Sequence, residues 1–133
     1  MQKAQKRVER DENQEILELL ENSAVNFANA ELNRSRLRKI RDNQDNFNLD
    51  IWKKIGELGW LDLLSSVEND TNFIARAIKL IAYQMGTKGA PEPFMECGIG
   101  PLSLLHGISN NVNFANSISS CDILVGHHIS DGN

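Results

Sequence analysis

Apolar residues recur at steps of three and four through most of this chain. From Glu12 onward, Ile16, Leu17, Leu20, Ala24, Phe27 and Ala28 keep that beat while Glu15, Glu18 and Glu21 face away, which predicts an amphipathic helix whose stripe needs a partner. Residues 1–11 carry charges of both signs and are expected to fray as a flexible N-terminus. Ile51, Trp52, Ile55 and Leu58 mark the next apolar face, with Lys53, Lys54 and Glu57 opposite. The cleanest stripe is Phe73, Ile74, Ala77, Ile78, Ile81 and Met85, ended by Gly86 and Gly89 and followed by Pro91 and Pro93. Gly98-Ile99-Gly100-Pro101 then interrupts an apolar stretch, which predicts a kink, or a break with Pro101 in the first turn of a new helix. Leu102, Leu105 and Ile108 share a face beyond it, and Phe114, Ala115, Ile118, Leu124 and Val125 keep a weaker helical beat in a tail rich in asparagine and serine. No strictly alternating run bounded by turns occurs, so no strand is expected. The pattern predicts an all-α fold: five or six helices in an antiparallel bundle, with residues 12–133 forming a single helical domain.

The segment from Phe47 to Leu64 has both helix ends written into it. Asn48 can cap the first turn through its side chain, and Phe47 before it pairs with Trp52 as a hydrophobic staple. Gly59 can take the left-handed conformation that closes a helix, which brings Trp60 back over Ile55 in a Schellman turn. Both tryptophans of the chain lie here, so this segment should anchor a packing layer.

Composition narrows the classes. Hydrophobic residues at 41% and charged residues at 24% fit a globular protein and exclude a disordered or collagen-like one. A formal charge of −4 argues against a general affinity for nucleic acid or an anionic membrane. Locally, Arg34, Arg36, Arg38, Lys39 and Arg41 form a basic run in which Arg34, Arg38 and Arg41 share one side of a helix. That run is read as a solvated face beside acids such as Glu31 and Asp42, or as a phosphate patch; no aromatic residue is interleaved for base stacking. Two cysteines without a framework pattern suit a reducing compartment, and neither a secretory signal nor a membrane-length apolar run is present, so a cytoplasmic protein is expected.

Motifs for chemistry are sparse. Gly98-x-Gly100 lacks the preceding strand and third glycine of a dinucleotide site, the third position being Ser103. His106, His127 and His128 have no ligand spacing, so no metal site is expected. Cys97 and Cys121 lie in apolar stretches, where a free cysteine acts as a small hydrophobe. No serine sits in a nucleophile elbow, and Glu9 with Glu12, or Glu15 with Glu18, read as surface charges rather than an acid and base pair.

Two stretches resemble the N-terminal helical domain of the acyl-CoA dehydrogenase family. Trp52, Ile55, Leu58, Gly59, Trp60 and Leu61 are similar to a helix-ending pattern of that domain, with Asp62 where the family usually has a small residue. At the expected distance, Tyr83-Gln84-Met85-Gly86-Thr87-Lys88-Gly89-Ala90-Pro91-Glu92-Pro93-Phe94 is similar to the family's glycine- and proline-marked helix end. The chain departs from the family at Ser65-Ser66-Val67-Glu68-Asn69-Asp70, where members usually carry a Pro-Glu-x-[aromatic]-Gly-Gly turn.

The resemblance implies a parent flavoprotein that oxidises an acyl-CoA to the trans-2-enoyl-CoA, passing a hydride from the β-carbon to FAD. It implies that FAD and the catalytic glutamate belong to middle and C-terminal domains that this chain lacks, so no catalytic, cofactor or metal residue is assigned in it. The stretch ending at Asn133 is expected to lie near the boundary to the absent β domain. The N-terminal domain would help wall the acyl pocket and support a homo-oligomer. By order along the chain, Leu102, Leu105 and Ile108 are the expected pocket wall, or else ordinary core. Two other readings stay open: a stand-alone, non-enzymatic helical module that binds a protein partner, and a separate subunit that completes a dehydrogenase in trans.

Overall fold

The computed structural model describes residues 2–64, 71–105 and 112–125, with backbone alone for residues 2–11 and Leu64. Among the described residues there are six α-helices, a 3-10 turn, a π-helical segment and no strand. The chain is all-α. No described helix is long and apolar enough to cross a membrane. The residues group into two compact units, Met1–Asp42 with Asp70–Ala90 and Asn43–Asn69 with Pro91–Asn133.

The first unit is built on α1 (Gln2–Glu31) and α4 (Thr71–Thr87), with α2 (Arg34–Asn43) beside them. Helix α1 starts at Gln2 and not near Glu12. Residues 2–11 are mostly good helix formers, and no glycine or proline precedes Gly56, so a helix anchored by packing further on can propagate back through them. Leu17, Ala24, Phe27 and Ala28 of α1 are buried, as are Phe73, Ala77, Ile81 and Met85 of α4. The expected stripes thus pack on one another, except that Ile16 is left outside. Arg76 Nη2 donates to Gln14 Oε1 at 2.9 Å and Lys88 Nζ to Asn29 Oδ1 at 2.9 Å. These bonds rise in the same order along both helices, so α1 and α4 run parallel. The antiparallel expectation fails for this pair because short connections reverse only helices adjacent in sequence, and α2 and α3 intervene between these two.

Helix α2 is capped by Asn33, whose side-chain oxygen accepts the Arg36 N–H at 3.0 Å and the Ser35 hydroxyl. Helix α4 ends in a complete Schellman turn. Gly89, at φ +61°, donates to Gly86 O at 3.0 Å, and Ala90 N–H reaches Met85 O at 3.0 Å.

The second unit contains α3 (Leu49–Glu57), the 3-10 turn Leu61–Leu64, the π segment Phe94–Ile99, α5 (Gly100–Leu105) and α6 (Val112–Ser119). The cap of α3 and the left-handed glycine after its last turn match expectation. Asn48 Oδ1 accepts from Asp50 N–H at 2.8 Å and Ile51 N–H at 3.4 Å, and the Phe47 and Trp52 rings meet edge to face with centroids 6.3 Å apart. Gly59 stands at φ +69°, and its N–H donates to Gly56 O at 2.9 Å. The core collects Ile51, Trp52, Ile55, Trp60, Leu61, Phe94, Ile99, Leu102 and Ile118.

Candidate functional site

The expected pocket wall belongs to the second unit, where the chain passes from the π segment into α5. Pro101 has no N–H to donate to Cys97 O, and its ring would crowd that carbonyl in a regular helix. The backbone widens instead: Gly100 N–H bonds to Met95 O, a five-residue step, and Pro101 falls in the first turn of α5. The break expected at Gly98-Ile99-Gly100-Pro101 therefore takes the form of a π turn running into a new helix. Ser103 Oγ donates to Ile99 O at 2.8 Å and ties α5 back across the junction.

This junction sets the directions of the wall residues. Leu102 is buried and Leu105, three residues on, is half-buried, while Leu104 between them is exposed. Ile108 lies outside the described residues. Helix α5 packs on the π segment and on α6, so Leu102 shares the second unit's core with Ile99 and Ile118. Gly98 of the Gly98-x-Gly100 motif has a packing duty. A Cβ on Gly98 would come within 2.7 Å of Leu61 Cδ2, so hydrogen at this position is what admits Leu61.

Four features were missed by the sequence reading. Glu92, between Pro91 and Pro93, is only 4% exposed, and its Oε1 accepts the Asn48 N–H at 3.3 Å. The N-cap residue of α3 is thus itself held from a distant stretch of chain, which nothing in the local pattern around Asn48 signals. Arg36 is buried within the basic run, whereas Arg34, Arg38, Lys39 and Arg41 are exposed. Gly56 is a contact glycine: a Cβ there would lie 2.2 Å from Ser120 O and 2.9 Å from Cys121 Cβ. Cys121 holds φ +59°, the left-handed conformation, at the end of α6.

Helix α6 shows how a polar tail folds. Ser117 Oγ donates to Asn113 O, and the hydroxyls of Ser119 and Ser120 donate to Asn116 O, so serines that usually compete with a helix bond back into its carbonyls. The helix then closes in a Schellman turn, with Cys121 N–H donating to Ile118 O and Asp122 N–H to Ser117 O, both at 3.0 Å.

Neither thiol is set up as a nucleophile. Burial, then the Glu96 carboxylate, raises Cys97 above the ordinary thiol value. Burial pushes Cys121 up to about 12, with Asp122 and Asp62 adding to the rise and a backbone hydrogen bond with Gly56 opposing it. Both sulfurs remain protonated at neutral pH. Among the described residues no group of three His, Cys, Asp or Glu side chains could hold a metal ion; His106, His127 and His128 lie outside those residues. No family model, curated protein or solved structure matches the chain.

Proposed function

We propose that this chain is the N-terminal helical part of an acyl-CoA dehydrogenase-like flavoprotein, helping to wall the acyl pocket and to support assembly. The observation that carries this reading is that both stretches bearing the resemblance fold as helix closures. Gly59, which matches the glycine of the first pattern, closes its helix at φ +69°; in the second stretch the closing residue is Gly89 at φ +61°, three residues beyond the Gly86 that matches the family's glycine. The parent binds FAD and acyl-CoA through domains or a partner subunit outside this chain. Leu102, Leu105 and Ile108 wall the acyl tail in this reading; of the two that the structure describes, the half-buried Leu105 is more open to a substrate than the buried Leu102.

The test is to express the natural reading frame that contains this chain, purify its product with whatever copurifies, and record the flavin's visible absorbance and acyl-CoA-dependent dye reduction. Flavin bleached by an acyl-CoA supports the proposal; a product without flavin, alone or with its partners, overturns it. Leu105→Trp should shift preference toward shorter acyl chains, and an unchanged preference removes Leu105 from the wall.

The alternative is a non-enzymatic helical module that binds a protein partner. It is favoured by exposed Leu104, Val112, Phe114 and Leu124 in the second unit, apolar side chains that a partner could cover. A stoichiometric complex without flavin is its expected outcome.

A further inference from the structure

Helix α2 runs against the electrostatics of its own geometry. A helix N-terminus favours acids, yet the first turn of α2 holds Arg34 and Arg36 and no acid. Arg34 lies four residues before Arg38, and Arg38 three before Arg41, spacings at which like charges meet and repel. All three are exposed, as is Lys39, whereas Arg36 is buried. Against them the helix sets Asp42, which pairs with Arg41 at 2.8 Å on the surface. Outside the first unit the lysines and arginines of the chain are Lys53 and Lys54, so that unit is net basic although the whole chain carries −4. A solvated helix face gains nothing from such crowding. Local stability given up in this way is expected where a ligand supplies the missing charge.

We propose that the row Arg34, Arg38 and Arg41 on α2 is a docking surface for an acidic segment of a partner protein. With a rise of about 1.5 Å per residue the row is about 10.5 Å long, which matches carboxylates at four- and three-residue steps on one helical segment lying along it. Guanidinium groups take carboxylates through two parallel hydrogen bonds, which orients the segment as well as attracting it. Half-buried Leu37 and Ile40 lie on the neighbouring side and offer apolar contact beside the charges. A nucleic acid duplex or an anionic bilayer extends well past one ten-residue helix and meets the −4 charge of the whole chain. Unpaired bases need aromatic side chains to stack on, and α2 has none. A short acidic segment meets the row alone. Arg41 and Asp42 form an exposed pair, which competes only weakly. The surface belongs to the first unit and stands independently of the flavoprotein reading.

Fluorescence anisotropy tests this on the whole chain, with a fluorescein-labelled, alanine-based helical peptide that carries glutamates at those steps. Binding is expected at about 50 mM salt and should weaken about tenfold or more by about 500 mM as the charges are screened. Arg34→Gln with Arg38→Gln should weaken it about tenfold, whereas Arg76→Gln with Lys79→Gln, which removes the same charge from exposed positions of α4, should change it less than about twofold. The α2 pair should keep its helical circular dichroism and should not lower the thermal midpoint, because it relieves a repulsion. Wild-type protein that does not bind the peptide, equal losses in the two pairs, or a lowered midpoint in the α2 pair overturns the proposal. Tighter binding to a short DNA duplex or to vesicles containing phosphatidylserine overturns a protein segment as the occupant.

Discussion

Helix α4 in the first unit and helix α6 in the second end in the same geometry. Each closes through a left-handed residue whose N–H bonds three residues back at 3.0 Å, followed by a second bond, also 3.0 Å, from the next N–H. In α4 that residue is Gly89, for which a positive φ carries no side-chain clash. In α6 it is Cys121, which holds φ +59° with a Cβ and is only 3% exposed. The difference lies in what surrounds each end. A Cβ on Gly89 would have only Leu37 Cδ1 nearby, at 3.8 Å, so backbone freedom alone has to make that turn. The end of α6 is pressed against α3, where Gly56 leaves room for Ser120 O and the Cys121 side chain. Tertiary packing thus over-determines a conformation that local propensity disfavours.

Substitutions can break this comparison, and the largest effect is expected at Gly56. Gly56→Ala places a methyl 2.2 Å from the Ser120 carbonyl oxygen, a backbone atom that cannot swing aside. A loss of about 3 kcal/mol in urea unfolding is expected, and a loss below about 0.5 kcal/mol means α6 does not bear on α3 there. Gly98→Ala first meets the Leu61 side chain, so about 1–2 kcal/mol is expected, and much of it should be absent in a Leu61→Ala background. Gly89→Ala tests the solvent-side turn, and about 1 kcal/mol is expected from the left-handed backbone alone. At the packed turn, Cys121→Gly relieves the same strain that Cys121→Ala retains. The glycine variant should therefore be more stable than the alanine variant by up to about 1 kcal/mol; the reverse order shows that φ at 121 is not strained.

The smallest effect near neutral pH comes from the Cys121 thiol. Its folded value of about 12 lies above the ordinary 9.0 of an unfolded thiol, so between these values the folded chain holds more protons. The stabilisation is complete below about pH 9 and is lost as pH rises toward 12. Unfolding midpoints of wild type and Cys121→Ala, compared from pH 8 to pH 11, should converge as pH increases. A constant difference shows that the thiol is not shielded.

Glycine and proline made much of the fold legible. Asn48, Gly59, Gly89 and Pro101 act on their own stretch of backbone, and each stands where periodicity placed a cap, a closure or a break. The candidate wall was legible only in part. Spacing put Leu102 and Leu105 on one side of a helix, but the amount of each left uncovered depends on how α5 lies on the π segment and on α6. Gly56 and Gly59 are both glycines at the end of one helix, and only the position of α6 reveals that the first is a contact and the second a turn.

By itself the sequence determined an all-α chain, the cap of α3, the glycines that close α3 and α4, and the main buried face of α1 and α4, because capping, handedness and amphipathic period act within a few residues. Only the tertiary structure decided the parallel run of α1 and α4, the clasp of Glu92 on Asn48, and the left-handed Cys121 seated on Gly56. Each of these joins residues far apart in the chain. Their geometry follows from which surfaces pack together, and no local preference encodes that.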